Sequence, residues 1–450
     1  MMKAYPEYKP SGVEWLGKVP NHWSTPKISY LMEYIGSGTT PKTTNTEYYN
    51  GDIPWVTTGE LREGVILDTK KKVTKLAIQD NSALKMHPVN SIVMAMYGAT
   101  IGRLAKLGIE ATTNQACCVL LPSKKIETDF LYYWLMCHRK EIIELSYGGG
   151  QPNISQDTVA NLKVTLPPSD EQTEIVKFLN IELSRIDTLI SEKENFIKLL
   201  QEKRQALISH VVTKGLDDNV KMKPSGVEWI GEIPEHWSTS SVRNCILAKK
   251  LEVQDGNHGE LHPIADDYVD VGIPFLMANN IRSGAIDNIN SKKISKEQAD
   301  SLRIGFAKAG DMLLTHKGTV GEVALIPESI EDPYWMLTPQ VTYYRWDKEE
   351  YIPKYFYYLF QSSVIASQLE LIGGGQSTRA YIGIVAQRDL KLVLPSLTEQ
   401  KNICVYLDLK TEKLNVLLKE TMKSIHLLKE HRTALISAAV TGKIDVREVA

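Results

Sequence analysis

Features that would announce common chemistries are scarce in this sequence. It has only five cysteines, Cys117, Cys118, Cys137, Cys245 and Cys404, and no C-x-x-C spacing, which argues against a disulfide framework or a zinc site. Buried, reduced thiols are the simpler expectation. No stretch approaches the roughly 18 consecutive apolar residues of a membrane span, and the start, Met1 to Pro6, lacks the apolar core of a signal peptide. A soluble, cytoplasmic protein without membrane contact is expected. The formal net charge is -2, so no overall basic excess points to nucleic acid, although a basic patch can be local. No G-x-x-x-x-G-K-S/T phosphate loop is present. With 43% hydrophobic and 24% charged residues over 450 positions, the chain has the composition of a globular protein of several domains.

What is present is a repeat. Residues 10–23 read PSGVEWLGKVPNHW and residues 224–237 read PSGVEWIGEIPEHW, identical at ten of 14 positions. The match continues from Ile53-Pro54-Trp55 to Ile273-Pro274-Phe275, from Leu61-Arg62 to Ile281-Arg282, and from Tyr97-Gly98-Ala99-Thr100-Ile101-Gly102 to Lys317-Gly318-Thr319-Val320-Gly321. Tyr132-Tyr133 answers Tyr357-Tyr358, Gly148-Gly149-Gly150-Gln151 answers Gly373-Gly374-Gly375-Gln376, and Glu171-Gln172 answers Glu399-Gln400. Ala206-Leu207-Ile208-Ser209 returns as Ala434-Leu435-Ile436-Ser437. Between these blocks, 24–50 and 238–270 share almost nothing. Equal ends imply equal docking and unequal middles imply unequal targets; the competing account is drift of tolerant surface loops.

Short β-branched and aromatic runs bounded by Gly, Pro and Asn, such as 91–96, 117–121 and 391–394, predict strands, and 130–144 and 355–371 predict helices. After Pro167-Pro168 no Pro or Gly follows until Gly215, which predicts a helix of about 44 residues. On a heptad frame its seam is Ile175, Leu179, Ile186, Leu189, Phe196, Leu200 and Leu207, flanked by Leu183, Ile190 and Ile197. The second copy repeats it with Ile403, Leu407, Leu414, Leu417, Leu428 and Leu435. Two equal modules in one chain favour a pseudo-twofold axis, hence an antiparallel two-helix coiled coil. The expected fold class is α+β, two mixed α/β domains joined by two long antiparallel helices. The duplicated Trp23 and Trp237 should pin each domain to a helix base.

The sequence resembles the specificity subunits of type I restriction-modification systems. The resemblance rests on Val19-Pro20-Asn21-His22-Trp23 and Ile233-Pro234-Glu235-His236-Trp237, on Gly38-Thr39-Thr40-Pro41, and on Gly51-Asp52-Ile53-Pro54-Trp55-Val56. Gly98-Ala99-Thr100-Ile101-Gly102, Thr113-Asn114-Gln115 and the ending Ala434 to Asp445 complete it. It implies docking arms at 1–23 and 216–237, target recognition domains at 24–166 and 238–394, spacer helices at 167–215 and 395–443, and a tail at 444–450. Each domain would read one half of a split, asymmetric sequence in double-stranded DNA. Two modification subunits carrying S-adenosylmethionine would methylate adenine, and ATP-dependent restriction subunits would cleave. The second copy departs from the pattern at Leu276-Met277-Ala278-Asn279 and at Thr338-Pro339-Gln340.

Under that resemblance the candidate DNA-contacting residues are Thr39, Thr40, Lys42, Thr58, Arg62, Lys70, Lys72, Tyr97, Arg103 and Gln151 in the first copy. In the second they are Asn279, Arg282, Lys292, Lys317, Gln376 and Arg379. The glycines would let backbone approach a phosphate while the glutamines reach base edges, against the plainer reading of a turn. Helices of about 66 Å set a ceiling of about 19 base pairs, and two linked major-groove readers favour an unread gap of about six to eight. No Asn/Asp-Pro-Pro-Tyr/Phe loop of an adenine methyltransferase is present; Asp332-Pro333-Tyr334-Trp335 lacks the second proline. A metal-dependent nuclease built on Asp52 and Asp68-Thr69-Lys70 is disfavoured, because the second copy, with Asp287-Asn288-Ile289, has no matching lysine. The chain is expected to be non-catalytic and to bind no cofactor or metal. The remaining alternative is a coiled-coil scaffold that does not read DNA.

Overall fold

The structure, a computed structural model, describes residues 3–145, 153–259, 261–373 and 381–447. The chain divides into two compact units, Met1–Lys193 with Lys423–Ala450, and Glu194–Met422.

In the first unit the central sheet has the order Met32–Ser37, Cys117–Pro122, Ile92–Ala95, Leu104–Leu107, Val65–Ile66. The run Ile92-Val93-Met94-Ala95 is apolar throughout because both faces of its strand are covered. Alternation at period two sends Ile92 and Met94 to one core with Phe130, Trp134 and Leu135 of the helix Thr128–Cys137. Val93 and Ala95 go to a second core with Val56, Leu61 and Leu107. A smaller sheet places Tyr49–Val56 between Lys72–Val73 and Thr112–Thr113.

The second unit repeats this plan. Its sheet order is Leu251–Asp255, Val341–Trp346, Met312–Thr315, Val323–Leu325, and its second sheet sets Tyr268–Leu276 between Lys292–Ile294 and Trp335–Leu337. Met312 and Leu314 face the helical side, while Leu313 faces Tyr343 and Leu337. Each single helix predicted beside a sheet is two: Thr128–Cys137 then Arg139–Glu144, and Pro353–Gln361 then Ser363–Ile372. In the second pair Ser362 is extended, with φ -75° and ψ 159°, and ends the first helix.

The long helices are α1, Ser169–Lys214, and α2, Leu397–Val440. In the first unit Ile175, Leu179, Leu183 and Ile186 of α1 share a core with Leu435, Ile436, Ala439 and Val440 of α2. In the second, Ile208, Val211 and Val212 of α1 share one with Ile403, Cys404 and Leu407 of α2. Within each unit the start of one long helix therefore lies beside the end of the other, an antiparallel pairing. Arg432 Nε bonds Asp187 Oδ1 across the first pair at 2.9 Å.

Three of the seam positions lie outside the packed stripe. Leu189, Phe196 and Leu417 are exposed, whereas Leu200, Leu414 and Leu435 are buried and Leu207 and Leu428 half-buried. The cause is register. The buried positions Ile175, Leu179, Leu183 and Ile186 are spaced four, four and three, an eleven-residue step, before three-four alternation resumes through Ile190, Lys193 and Ile197. A strict heptad frame starting at Ile175 is then one residue out. The second helix has the same step at Ile403, Leu407, Thr411 and Leu414, which moves Leu417 off the seam in the same way.

Each globular fold is tied to the helices by a duplicated clasp. Trp23, fully buried, donates its indole N–H to Glu171 Oε1 at 2.9 Å, and His22 Nε2 lies 2.7 Å from Glu171 Oε2. In the second unit Trp237 donates to Glu399 Oε1 at 2.8 Å and His236 Nε2 lies 2.8 Å from the same oxygen. The next residue works with it: Gln172 accepts from the Glu127 N–H at 2.8 Å and donates to the Pro167 carbonyl at 3.0 Å. Gln400 does the same with Ile352 and Pro395, both at 3.0 Å. The clasp also grips the end of the opposite helix. Gly442, at φ +72°, is so close that a Cβ there would meet the Pro20 ring at 2.5 Å, and Gly215, at φ +82°, would meet the Trp237 ring at 3.3 Å.

Candidate nucleic-acid interface

The candidate residues sit in loops around the sheet ends. In the first unit the segment 57–71 folds around a cavity of about 440 Å3 lined by Thr57, Arg62, Lys70 and Lys71. Glu60 shapes it, accepting the Thr57 N–H and the Lys70 N–H at 2.8 Å each. Arg62 and Lys70 are exposed and are brought to one place, and half-buried Thr58 starts the short helix beside them. Lys72 differs: its ammonium lies 3.1 Å from Asp68, whose carboxyl is held below its usual range by the Thr69 backbone N–H and by Lys72.

Thr39 and Thr40 are half-buried and exposed Lys42 follows them. Gly38 fixes this loop, because a Cβ there would stand 1.7 Å from the Thr113 carbonyl oxygen. The Thr40 hydroxyl bonds Gln115, so Thr-Asn-Gln and Gly-Thr-Thr-Pro form one element. Gly256 has the same role in the second unit, 2.0 Å by the same measure from the Thr338 carbonyl, and Gln340 accepts from the Ala278 N–H at 3.4 Å.

Tyr97 and Arg103, both half-buried, flank the turn Gly98–Thr100. Tyr97 pairs with Asn153 and exposed Lys317 with Tyr381 in isolated antiparallel bridges, so the segment near residue 153 and its counterpart near 381 return to the same sheet position. Gln151, Gln376 and Arg379, with the glycines 148–150, 374 and 375, lie outside the described residues. Asn279 is exposed on the turn Ala278–Asn280 and Arg282 on the hairpin of Ile281–Arg282 with Ala285–Ile286. Exposed Lys292 lies 5.8 Å from the centroid of the Tyr268 ring.

Two features escaped the sequence reading. His316, buried directly before Lys317, accepts or donates through Nδ1 to Thr342 at 3.0 Å and Gln387 at 2.9 Å, with Asp255 3.6 Å away. Burial pushes its pKa down. No spacing signals such a group. The partnership of His-Trp with Glu-Gln had a signal, since both pairs are duplicated, but nothing in sequence joins them.

Among the described residues no three His, Cys, Asp or Glu side chains are grouped to hold a metal, and Asp52 is exposed. Asp332 accepts the indole N–H of Trp335 at 3.2 Å. Cys117 and Cys118 are fully buried, and burial pushes their thiols up to about 12, far from a reactive thiolate. No helix among the described residues is long and apolar enough to cross a membrane.

Comparison with known proteins agrees with this arrangement. Residues 20–199 match the type I restriction modification DNA specificity domain. The chain is 24% identical over 438 residues to the type I restriction enzyme MjaVIII specificity subunit of Methanocaldococcus jannaschii, covering 96% of this chain and 95% of that one. It is 24% identical over 298 residues, 65% of this chain and 61% of the relative, to the EcoBI specificity subunit of Escherichia coli. Its fold is similar to a chain from a type I restriction-modification system solved in the context of complex assembly, with TM-score 0.70, 16% identity and coverage of 95% and 99%. It is also similar to the HsdS subunit from Thermoanaerobacter tengcongensis, with TM-score 0.50, 16% identity and coverage of 95% and 98%. With its duplicated clasps and loops, the chain is similar over nearly its whole length to specificity subunits of type I restriction-modification systems.

Proposed function

We propose that each unit reads one half of an asymmetric, two-part sequence in double-stranded DNA, and that the chain performs no chemistry of its own. The observation that carries this reading is the pairing of identical clasps with unlike loops. His22-Trp23 on Glu171 and His236-Trp237 on Glu399 hold the two folds in the same way. The side chains at the loop tips differ, with Arg62 and Lys70 gathered in one unit and Asn279 and Arg282 on turns of the other. Such loops supply phosphate contacts that position the protein and base-edge contacts that specify sequence. A scaffold that only organised partners would have no use for two different loop sets on one frame.

Methyl transfer belongs in this reading to two copies of a modification subunit with S-adenosylmethionine bound, and cleavage to separate restriction subunits. Exposed apolar side chains on the long helices, among them Leu189, Phe196, Leu199 and Leu417, are surface such subunits would cover. The test is to co-express the chain with its modification subunit and map methylated adenines. A two-part motif that vanishes without this chain is expected; methylation unchanged by its removal would refute the proposal.

A further inference from the structure

The second unit has a buried polar cluster where the first is apolar. His316, 1% exposed, follows the strand Met312–Thr315 and opens the segment 317–321. Its backbone N–H donates to the Gln340 carbonyl at 2.9 Å and its carbonyl accepts from the Ile382 N–H at 3.0 Å. Met96 makes the same two bonds in the first unit, with Ala116 and Ile154, both at 2.8 Å. Strand register then matches Asp255 with Ser37 and Thr342 with Cys118. Gln387 matches Val159, because each stands three residues before a leucine carbonyl, Leu390 or Leu162, that accepts an N–H from the start of its unit. Met96, Cys118 and Val159 are buried in one apolar core, and Ser37 turns away to accept the Gln156 amide at 2.6 Å. The same fold therefore forms without the polar set.

In the second unit the hydrogen bonds orient one another. The Tyr344 hydroxyl donates to Gln387 Oε1 at 2.8 Å and Gln387 Nε2 donates to the Ile382 carbonyl at 2.9 Å, which fixes the amide. Gln387 Nε2 then faces His316 Nδ1 at 2.9 Å, so that ring nitrogen accepts, and Nε2 of the ring carries the hydrogen and donates to the Pro339 carbonyl at 3.1 Å. The Thr342 hydroxyl, 3.0 Å from Nδ1, donates to Asp255 Oδ1 at 2.7 Å. Three segments thus meet at one ring: 317–321, 338–340 and 381–387. Each reaches the candidate DNA surface. Lys317 follows His316 directly, Gln340 accepts from the Ala278 N–H beside Asn279, and exposed Tyr381 is bridged to Lys317. A bonded buried network holds its members in one arrangement, a demand that apolar packing does not make.

Resting on the function proposed above, we infer that His316 is a positioning residue for sequence reading by the second unit: its buried ring ties the Pro339 carbonyl to the Gln387 amide and so fixes the loops that carry Lys317 and Asn279 against base edges. Hydrogen bonds to base edges are short and directional, whereas attraction to phosphates is long-ranged and tolerant of small displacements. Loosening these loops therefore costs discrimination between bases far more than it costs affinity for DNA as such.

The experiment uses the chain in complex with its modification subunit and compares methylation of the cognate duplex with that of duplexes changed at one base in either half, the half read by the second unit being assigned by exchange of residues 24–166. His316→Met, which installs the first unit's residue, should lower discrimination in the second half by about tenfold and leave the first half and binding to unrelated duplex unchanged. His316→Gln, which keeps an N–H for the Pro339 carbonyl, should recover most of the loss. Tyr344→Phe, which releases the Gln387 amide from a distance, should give an intermediate loss, and it decides the matter by the same comparison should His316→Met not fold. Unchanged discrimination in the second half, an equal loss in both halves, or a Gln variant no better than Met overturns the inference while leaving the proposed function intact. A wild-type complex indifferent to base changes in both halves overturns both.

Discussion

Trp237 and Glu399 are separated by 162 residues and joined by an indole-to-carboxylate hydrogen bond of 2.8 Å. The same carboxylate oxygen holds His236, and the Ser396 hydroxyl donates to the other oxygen at 2.7 Å. A turn preceding the recognition fold is thereby locked onto the first turn of a 44-residue helix. Trp23 and Glu171 repeat the relationship in the first unit.

Removing either carboxylate should therefore unseat a recognition fold. Glu171→Ala and Glu399→Ala each strand a buried indole N–H and should cost about 2 kcal/mol. Calorimetry should show the melting transition falling by several degrees, with Trp23→Phe and Trp237→Phe costing less because they delete the donor along with its need. An Ala variant as stable as wild type would remove the clasp from the account.

Acid should loosen the second clasp in a defined window. Burial opposes the charge of Glu399, but bonds from Trp237, His236 and Ser396 prevail and hold its pKa at about 2, below its ordinary 4.5. A depressed carboxylate contributes stability that is fully present above 4.5 and lost as pH falls toward 2. Unfolding temperatures between pH 6 and pH 2.5 should fall more steeply for wild type than for Glu399→Gln. Parallel curves would show that the carboxylate is not bonded this way.

Exchanging residues 24–166 for those of a relative should change one half of the methylated motif and leave the other. Sequencing of adenine methylation reads this directly, and a change in both halves would end the modular reading.

The helices should respond differently on their two faces. Leu200→Asp and Leu428→Asp place charge in or beside packed surface and should destabilise the fold by several kcal/mol. Leu189→Asp and Leu417→Asp lie on exposed positions and should leave unfolding unchanged while weakening modification-subunit binding. Sedimentation together with thermal melts separates the two classes; equal stability loss in both would restore the strict heptad seam.

Helix length is also proposed to set the distance between half-sites. Four residues inserted after Ser191 advance the chain by about 6 Å and rotate it by about 40°. The preferred gap should grow by one or two base pairs from about six to eight, with both half-motifs unchanged. An active variant with an unaltered gap would assign spacing to something else.

Much of this architecture was legible in sequence because repetition and the absence of Pro and Gly between Pro168 and Gly215 are long signals. Register was not. The eleven-residue step at Ile175 to Ile186 adds a single residue to an alternation, and only packing shows that Ile190, and not Leu189, continues the stripe. The divergent loops hid a shared constraint as well. Residues 24–50 and 238–270 look unrelated, yet Gly38 and Gly256 each press backbone onto a threonine carbonyl that no side chain would permit. The candidate DNA contacts were legible only as residue types, since Arg62 and Lys70 meet through a fold of Glu60 that spacing does not encode.

In the first unit Lys3 and Asp445 are joined in an antiparallel bridge, the Asp445 N–H donating to the Lys3 carbonyl at 2.8 Å, and the Tyr8 hydroxyl donates to the Gly442 carbonyl at 2.9 Å. The passage from Gly442 to the hairpin of Tyr8–Pro10 with Lys18–Pro20 is thus made through space, where the passage from Gly215 to the hairpin of Met222–Pro224 with Glu232–Pro234 is made through peptide bonds. Cyclic order matters to these contacts and linear order does not. A circularly permuted gene, joining 447 to 3 through a short flexible linker and opening the chain between Asp217 and Lys221, should therefore retain every clasp, so that the order in which the two units are encoded is free to change.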